Sequence, residues 1–387
     1  MSKDLKPSDE ERRQAWLALL RCPLCRAAGV MSSTTWTCGG CGARFPIIAG
    51  VIDFRTFAER DDMSFAHAGR RDSAQKLIEI VESGAAVNRE VMIDRYLDGF
   101  FMNDDIRRRE RDILVSNGTI ADGWLGELRQ HLPPHDPGNQ LGAAVDVGCG
   151  VGGLVERLAR HASVVIGIDP DLDRLLIARK TLDDSHIARY CSVGLVCAQA
   201  EMLPLATDSF DLLSCMEVLE HLTDPLSAVS EAWRVLRPAG VAYFSTPNRF
   251  TLGVEPHVNL RWLGFLPRPL MDPYVRLRRG TRYTGKRNLS YGEVRRLFST
   301  SFGEYYAVVR PDKTAHTVPG RAANWLWRYP LGRTLIMRWL SNFRIVARKC
   351  SVGTPPPPAS PRPGVVVGRV WRWYRCCVGA CVSRLVR

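Results

Sequence analysis

Short apolar runs alternate with longer amphipathic segments through the middle of the chain. The apolar runs have the length of buried strands and fall at 144–148, 164–169, 193–198, 210–215 and 240–246. The segments with apolar residues at helical spacing fall at 153–161, 171–182 and 224–236. This alternation predicts an α/β fold with a parallel, doubly wound sheet, because parallel strands are joined through crossover helices. A ligand site is then expected at the carboxyl ends of the strands.

The same patterning predicts elements on both sides of this core. Residues 58–140 are polar with repeated helical spacing of apolar residues, which predicts a helical segment. Two further strands, 304–310 and 343–348, are expected as an antiparallel pair at the edge of the sheet. Ser290 and Glu293 have the spacing of a capping box and predict the start of a helix.

A glycine-rich turn follows the first predicted strand of the core. Gly148, Gly150 and Gly153 satisfy the spacing of a dinucleotide-binding turn, so a nicotinamide enzyme is one interpretation. Asp146 favours S-adenosylmethionine instead, because a carboxylate suits a ligand with an ammonium and a sulfonium but would repel a pyrophosphate. Asp169 ends the next strand, 23 positions later, where it suits ribose hydroxyls and fits both ligands.

Downstream motifs occur in an order that separates these two interpretations. They are Ala200-Glu201-Met202-Leu203-Pro204, Phe210-Asp211-Leu212-Leu213, Glu217-Val218-Leu219-Glu220-His221 and Val235-Leu236-Arg237-Pro238-Ala239-Gly240. Over about 140–250 this order resembles the class I SAM-dependent methyltransferases, in particular the ubiquinone and menaquinone methyltransferase group. The resemblance implies a Rossmann-like, seven-stranded methyltransferase sheet and S-adenosylmethionine as cofactor.

The resemblance also implies which residues surround the cofactor. They are Asp146, Gly148, Gly150, Asp169, Ala200 and Glu201. The two glycines would let the methionine part approach the backbone, Asp146 would lie near its amino group, and Asp169 would accept the ribose hydroxyls. The Ala-Glu pair would lie beside the adenine. The family usually has an Asp before that pair, whereas this chain has Gln199, whose amide can both donate and accept hydrogen bonds.

Candidates for acid–base catalysis occur in two places. Glu217, Glu220 and His221 fall at i, i+3 and i+4, so they would share one face if this segment were helical. The pattern resembles the metal-assisted ubiquinone-pathway O-methyltransferases, and His221 would be the base; alternatively, Glu220 and His221 only orient the loop after the fourth strand. Residues 249–289, rich in Arg, Pro and aromatics, occupy the position that covers the acceptor in this family. We expect an acceptor lid there, with His257 as a second base candidate or as an ordinary exposed loop histidine.

Two cysteine pairs lie close to the start of the chain. They comprise Cys22, Cys25, Cys38 and Cys41, with twelve residues between the pairs. Two such knuckles can close a tetrahedral zinc site, although disulfides or free thiols are alternatives. Residues 30–37 between the pairs predict one strand. Over about 20–55 the pattern resembles the Trm112-like zinc ribbon, which implies a structural zinc, because four thiolates leave no open position for water.

The net charge of +13 is concentrated at the C-terminal end. Residues 311–387 contain 14 Lys and Arg but one acid, so 1–310 carries no net charge. The basic tail, with aromatic residues among its arginines, predicts contact with an anionic membrane surface or with RNA, or else serves as a solubilising tail. The apolar runs are too short to span a bilayer and the charged start is unlike a signal peptide. We therefore expect a cytoplasmic protein with peripheral contact at the inner face of the membrane.

These features predict a division of the chain and a function. The division is a Trm112-like zinc-ribbon module at 1–57, a helical cap and linker at 58–140, a methyltransferase domain with its lid at 141–350, and a Pro-rich linker and basic tail at 351–387. The predicted function is methyl transfer to a small-molecule, glycan or lipid-linked acceptor. An RNA methyltransferase is the alternative, disfavoured by the balanced charge of 1–310. A non-catalytic scaffold or activator that uses the ribbon is another, disfavoured by the intact cofactor residues.

Overall fold

The computed structural model describes the chain from residue 8 to residue 350 with gaps. The described residues are 8–55, 68–100, 104–129, 141–187, 191–303, 306–309, 329, 332, 338–339 and 342–350. The predicted Pro-rich linker and basic tail at 351–387 therefore lie outside the described residues. Within the described residues, no helix is both long enough and apolar enough to cross a bilayer.

The N-terminal part consists of one helix and four short strands. They are α1 (Asp9–Leu17), β1 (Gly29–Met31), β2 (Thr35–Cys38), β3 (Arg44–Ile48) and β4 (Val51–Asp53). The helix starts with a capping box, in which Ser8 and Glu11 each accept the backbone N–H of the other. The prediction of one strand over 30–37 is wrong, because the Ser32 side chain accepts the N–H groups of Thr34 and Thr35 and closes a turn between β1 and β2.

Four helices follow in the segment that was predicted to be helical. They are α2 (Ala68–Glu82), α3 (Arg89–Asp98), α4 (Asp104–Val115) and α5 (Asn117–Arg129). Buried apolar residues of α3 pack with Leu176 and Ile177 of the following domain. Asn117 at the start of α5 accepts the N–H of Gly153 over 2.7 Å, so this helical layer also touches the glycine-rich turn.

The central domain alternates strands and helices as predicted. Its elements are β5 (Leu141–Val147), α6 (Gly153–Leu158), β6 (Ala162–Asp169), α7 (Leu172–Asp184), β7 (Ser192–Cys197), β8 (Phe210–Met216), α8 (Pro225–Val235) and β9 (Leu236–Pro247). These five strands are parallel and lie in the order β7-β6-β5-β8-β9. The order reverses next to β5, and such a switch point places the ligand crevice at the carboxyl end of that strand.

The segment after β9 contains the lid region and the edge of the sheet. Its elements are β10 (Val254–Glu255), β11 (Leu260–Arg261), α9 (Arg268–Arg279), α10 (Tyr291–Phe302), β12 (Tyr306–Val309) and β13 (Asn342–Arg348). The predicted capping box is confirmed, since Ser290 accepts the N–H of Glu293 and Glu293 accepts that of Ser290. The antiparallel pair is confirmed as well, with β13 between β9 and β12. The predicted seven-stranded, Rossmann-like methyltransferase sheet is therefore confirmed.

The N-terminal strands extend the same sheet. Strand β4 pairs in parallel with β7, where Ile52 lies opposite Val196 and Asp53 opposite Cys197. The described residues thus form one sheet of eleven strands, from β1 at one edge to β12 at the other. Helix α1 packs on β7 through Trp16, and a side chain in place of Gly194 would come within 2.3 Å of that indole ring. The cysteine module is therefore packed into the domain that carries the glycine turn.

Candidate functional site

The glycine turn after β5 brings the backbone to the carboxyl edge of the sheet. Gly148 has φ of +75°, and a Cβ there would lie 2.2 Å from the Val218 side chain. Gly150 has φ of +53°, and no atom of the described residues lies within 4 Å of the position that a Cβ would occupy there. Only glycine is unstrained at such angles, and its missing side chain leaves room for a ligand next to the backbone. The turn fits the predicted methionine-binding loop.

Asp146 lies just before this turn and is only 3% exposed. Ser214 Oγ of the neighbouring strand donates to Asp146 Oδ1 over 2.7 Å. The pKa of Asp146 is raised to about 7. Burial is the main cause of this rise, the hydrogen bond from Ser214 opposes it, and the charge of Asp169 adds to it. A cationic ligand group beside this carboxylate would offset the cost of its burial.

Asp169 ends β6 and accepts two backbone N–H groups. Gly150 donates to its Oδ2 and Asp171 to its Oδ1, each over 2.9 Å. Burial raises the pKa of Asp169, opposed by Arg174. Tyr96 of α3 reaches the same place, since its hydroxyl donates to Asp171 over 3.1 Å and accepts from Arg174 over 3.0 Å. Two predicted cofactor residues, Asp169 and Gly150, therefore touch each other, and the helical layer covers their edge.

The predicted adenine-binding residues form a short 3-10 turn, Ala200–Met202. Ala200 is buried, and the enclosed Oε2 of Glu201 has no hydrogen-bond partner among the described residues. A buried carboxylate oxygen without a donor is costly, so a ligand group that donates hydrogen bonds fits this position. An adenine amino group is such a donor.

The cysteine module contacts the residues directly after this turn. Arg26 donates to the carbonyl of Leu203 over 2.7 Å and to Glu231 over 3.1 Å. Glu231 in turn accepts the N–H of Leu203 over 2.9 Å, and Arg21 donates its N–H to the carbonyl of Pro204. Sequence analysis missed these contacts, because Arg26 and Leu203 are 177 positions apart. The module thus holds the chain that leaves the candidate adenine site.

The three acid–base candidates come together. One ligand-type atom from each of Glu220, His221 and His257 lies within 4.8 Å of the other two. Glu220 is 1% exposed; Thr246 donates to its Oε2 over 2.9 Å, and its Oε1 lies 3.9 Å from His221 Nε2. The two imidazole rings meet edge to face at 5.2 Å between centroids. Such a cluster could exchange a proton with a ligand or hold one metal ion.

Glu217 does not join this cluster, so its predicted common face with Glu220 and His221 is wrong. The helical turn is only Leu219–His221, and Glu217 precedes it with a left-handed φ of +56°. Its carboxylate instead accepts from Ser245 over 2.6 Å and from Arg344 over 3.1 Å. It therefore ties the neighbouring strands together.

The surroundings set the charge of the cluster. Burial raises the pKa of Glu220, and the nearby Glu217 raises it further. Burial lowers the pKa of His221 to about 4, and the positive charges of Lys286 and Arg174 act in the same direction. The raised pKa favours the protonated form of Glu220, and at neutral pH the imidazole of His221 is neutral. A neutral imidazole can accept a proton.

Glu255 in the lid orients His257, and sequence analysis missed it. His257 Nδ1 lies 2.6 Å from Glu255 Oε1, while the N–H groups of His257 and Val258 donate to Oε2 over 2.8 Å. Tyr283 donates to Oε1 over 3.1 Å. Burial raises the pKa of Glu255, but the hydrogen bonds outweigh it and lower the pKa overall. An acid two residues before a histidine gives no sequence signal of this pairing.

The four predicted zinc ligands form one cluster at the tips of the cysteine module. Their sulfur atoms all lie within 4.8 Å of one another, with Cys22 and Cys41 at 3.7 Å and Cys25 and Cys38 at 3.3 Å. Sulfurs around a zinc ion at about 2.3 Å would be about 3.8 Å apart. The Cys38 sulfur also accepts the N–H groups of Gly40 and Cys41. This geometry and donor set fit a tetrahedral zinc.

Comparison with known proteins places the central domain. Residues 145–244 match the family model described as "Methyltransferase domain". The ubiquinone biosynthesis O-methyltransferase of Actinobacillus pleuropneumoniae is 38% identical over 106 residues, which are 27% of this chain and 45% of that protein. The enzyme of the same name from Coxiella burnetii is 33% identical over 105 residues, again 27% of this chain and 43% of that protein. The chain thus spans less than half the length of the curated relatives it matches.

The solved structures that this chain matches include an S-adenosylmethionine dependent methyltransferase from Mesorhizobium loti. It is 21% identical, covers 59% of this chain and 98% of its own, and gives a TM-score of 0.39. The family model ends at the last parallel strand, so it includes the glycine turn, Asp169, the adenine turn and the Glu220–His221 pair. The resemblance inferred from the ordered motifs is confirmed, and this chain carries a class I SAM-dependent methyltransferase domain.

Proposed function

We propose that this protein transfers a methyl group from S-adenosylmethionine to a hydroxyl group of a small-molecule acceptor. The observation that carries the proposal is the juxtaposition of the candidate cofactor crevice with the Glu220–His221–His257 cluster, in which Glu220 is buried and His221 is exposed. The relatives from Actinobacillus pleuropneumoniae and Coxiella burnetii are named as O-methyltransferases, which supports an oxygen acceptor. The proposal includes, as more specific cases, acceptors that are linked to a glycan or to a lipid.

The cofactor would be held by the residues at the carboxyl edge of the sheet. Asp146 would bind its ammonium, Gly148 and Gly150 would accommodate the methionine part, and Asp169 would accept the ribose hydroxyls. The adenine would lie along Ala200–Met202, with the unpaired oxygen of Glu201 as acceptor. When bound, S-adenosylmethionine supplies an electrophilic methyl group, so the protein needs only to align the acceptor and exclude water.

The acid–base cluster would remove the acceptor proton. His221 is neutral at neutral pH and lies beside the carboxyl of Glu220. As the new carbon–oxygen bond forms and the bond between the methyl carbon and the sulfonium sulfur breaks, the hydroxyl proton would pass to His221, and His257 is the second acceptor within reach. A divalent metal held by the same three side chains would lower the pKa of the hydroxyl instead, and removal of metal distinguishes the two cases.

The cysteine module would contribute a structural zinc bound by Cys22, Cys25, Cys38 and Cys41. We include in the proposal a peripheral contact of the basic tail with an anionic membrane. RNA methylation is the competing function, favoured by the C-terminal charge. Incubation with labelled S-adenosylmethionine and lysate fractions separated into small molecules, lipids, glycans, RNA and protein tests the choice. Label in the RNA fraction alone would replace the proposed function.

Replacing Asp169 with Asn is expected to weaken binding of S-adenosylmethionine about 10- to 150-fold. The variant loses charge-assisted hydrogen bonds to the ribose, a loss of about 1.5–3 kcal/mol. Titration calorimetry measures the change, and Asp183→Asn on the exposed side of α7 is the matched control. Equal affinity of both variants and the unchanged protein would contradict the ribose assignment.

Binding of S-adenosylmethionine is expected to strengthen as the pH rises towards 7 and then to level off. The free protein holds Asp146 with a pKa of about 7, so much of this carboxyl is protonated at pH 6. A cationic ligand favours the carboxylate, and binding at pH 6 must therefore release a proton. Calorimetry in buffers of different ionisation enthalpy counts that proton. In Asp146→Asn the release should vanish; an unchanged release would assign it to another group.

A further inference from the structure

The lid encloses a cavity that no step of the proposed reaction uses. It is small and partly open to solvent, and it is lined by Arg249, Glu255, Gly264, Arg268, Met271, Tyr283, Lys286 and Asn288. Three of these side chains are cationic and one is acidic. Met271 and Tyr283 are buried and give the cavity an apolar wall.

The acid in this cavity is already occupied. Both oxygens of Glu255 accept hydrogen bonds, from two backbone N–H groups on Oε2 and from His257, Tyr283 and Asn288 on Oε1. Arg268 pairs with Glu293 over 2.8 Å, on the neighbouring helix α10. The carboxylates of Glu255 and Glu293 therefore bond to His257 and Arg268. Neither forms a salt bridge with Arg249 or Lys286.

Arg249 and Lys286 have no carboxylate within salt-bridge distance in the part of the chain that the structure describes. Arg249 donates to the carbonyls of Gly264 and Leu266, each over 3.0 Å, which fixes its guanidinium in place. Burial lowers the pKa of Lys286, and burial together with the neighbouring Arg268 lowers the pKa of Arg249. Two partly enclosed positive charges in one cavity are costly unless an anion joins them.

Asn288 adds an independent indication of a ligand. It is 6% exposed, and its Nδ2 donates to Glu255 over 3.2 Å. Its Oδ1 is buried and has no hydrogen-bond partner among the described residues. A buried amide oxygen without a donor is unfavourable, so a ligand group with an O–H or N–H fits beside it.

The cavity adjoins the candidate base. Glu255 lines it and at the same time bonds His257 Nδ1, and the charge of Lys286 acts on His221. A ligand anchored by Arg249 and Lys286 would therefore extend towards the two histidines.

We propose that this lid cavity binds an oxyanion of the acceptor, a carboxylate or a phosphate, through Arg249 and Lys286. Arg268 adds positive charge behind them, and Asn288 accepts a hydrogen bond from the same ligand. The anionic group thus selects the acceptor and sets the orientation of its hydroxyl relative to His221 and His257. The assignment of the anion to a methyl acceptor rests on the proposed function, whereas the binding of the anion does not.

Binding of three small probes to the full chain tests the cavity. The probes are benzoate, phenyl phosphate and benzamide, the last being a neutral compound with the shape of benzoate. Ligand-observed NMR at low ionic strength should detect both anions but not benzamide, and added salt should weaken their binding. The anion with the higher affinity identifies the preferred oxyanion. The proposal would be overturned if neither anion bound, or if benzamide bound as tightly as the anions.

Variants locate the binding to the cavity. Lys286→Gln and Arg249→Gln should each weaken binding of the better anion by about tenfold or more, through loss of a charge-assisted contact. Arg278→Gln, exposed on the outer side of α9, is the matched control and should leave it unchanged. Equal affinities in all three variants would place the anion elsewhere and refute the site.

The same proteins separate this proposal from the proposed function. Asp169→Asn should lose affinity for S-adenosylmethionine while it keeps affinity for the anion. Anion binding without any methyl transfer would leave the cavity assigned and reject the methyltransferase activity. Methyl transfer to acceptors that carry no anionic group, at rates unchanged in Lys286→Gln, would support the methyltransferase activity and reject the assignment of the cavity.

Discussion

Replacing Cys38 with Ser is expected to abolish the proposed zinc binding and also to weaken binding of S-adenosylmethionine. A structural zinc site contributes about 10–16 kcal/mol of metal-binding free energy, and much of it is folding free energy of the module that holds the ion. Cys38 links the two cysteine pairs, with its sulfur 3.3 Å from that of Cys25. Loss of this ligand should therefore loosen the loop that carries Arg26.

The effect on cofactor binding follows from the contacts of Arg26. This side chain holds the carbonyl of Leu203 and the carboxylate of Glu231, directly after the candidate adenine turn. The expected results are less than one zinc per chain, a lower melting temperature and a weaker affinity in calorimetry. Metal content is measured by mass spectrometry and unfolding by circular dichroism.

Two further variants make the experiment decisive. Cys350→Ser removes a cysteine outside the module and should keep both zinc and cofactor affinity. Arg26→Ala keeps all four sulfurs, so it should retain zinc and still bind S-adenosylmethionine more weakly. Full zinc retention in Cys38→Ser would place the metal elsewhere, and unchanged affinity in Arg26→Ala would remove the link between module and adenine site.

The parts of the fold that could be predicted are those that depend on local patterns. The apolar run 210–215 became a strand whose ends lie within one residue of those predicted, because a doubly covered parallel strand needs a continuous apolar run. The turn from Gly148 to Gly150 was recognisable, since only glycine suits its left-handed angles. The capping box at Ser290 was equally local.

The contacts that depend on distant parts of the chain could not be predicted. Strand β4 is three residues long, and nothing in its sequence indicates that it pairs with β7, about 140 positions later. Arg26 resembles any surface arginine until Glu231 is placed beside it, 205 positions away. Glu255 likewise becomes an orienting group only when the lid folds its carboxylate against His257.

One expectation about the candidate site failed for a local reason. Glu217 and His221 were placed on one face by assuming helical geometry, but the chain leaves β8 through a left-handed residue and forms only a three-residue turn. The acid that orients a histidine is Glu255, which comes from the lid and not from the turn that contains His221. Short polar segments after a strand carry little periodicity, so their conformation depends on tertiary contacts.

Replacing His221 with Gln is expected to lower the rate of methyl transfer about 10²- to 10⁴-fold, with unchanged affinity for S-adenosylmethionine. That range is typical for the loss of a positioned general base. Gln keeps the size and polarity of the side chain but cannot accept the acceptor proton at neutral pH. Single-turnover kinetics measures the rate, and calorimetry measures the affinity. Leu219→Met in the same turn, where His221 is retained, is the control for packing.

The pH profile gives an independent test of this role. Burial holds the pKa of His221 near 4, so its imidazole is already unprotonated at pH 5 and above. A base with this pKa gives full activity above about pH 5, and the rate falls only as the pH drops through 4, provided that the fold persists there. With saturating S-adenosylmethionine, the rate should therefore stay constant between pH 6 and pH 8. A rise with a midpoint near 6.5 would point to an ordinary histidine, and complete loss of activity on chelation that leaves the metal of the cysteine module in place would assign the step to a metal held by Glu220, His221 and His257.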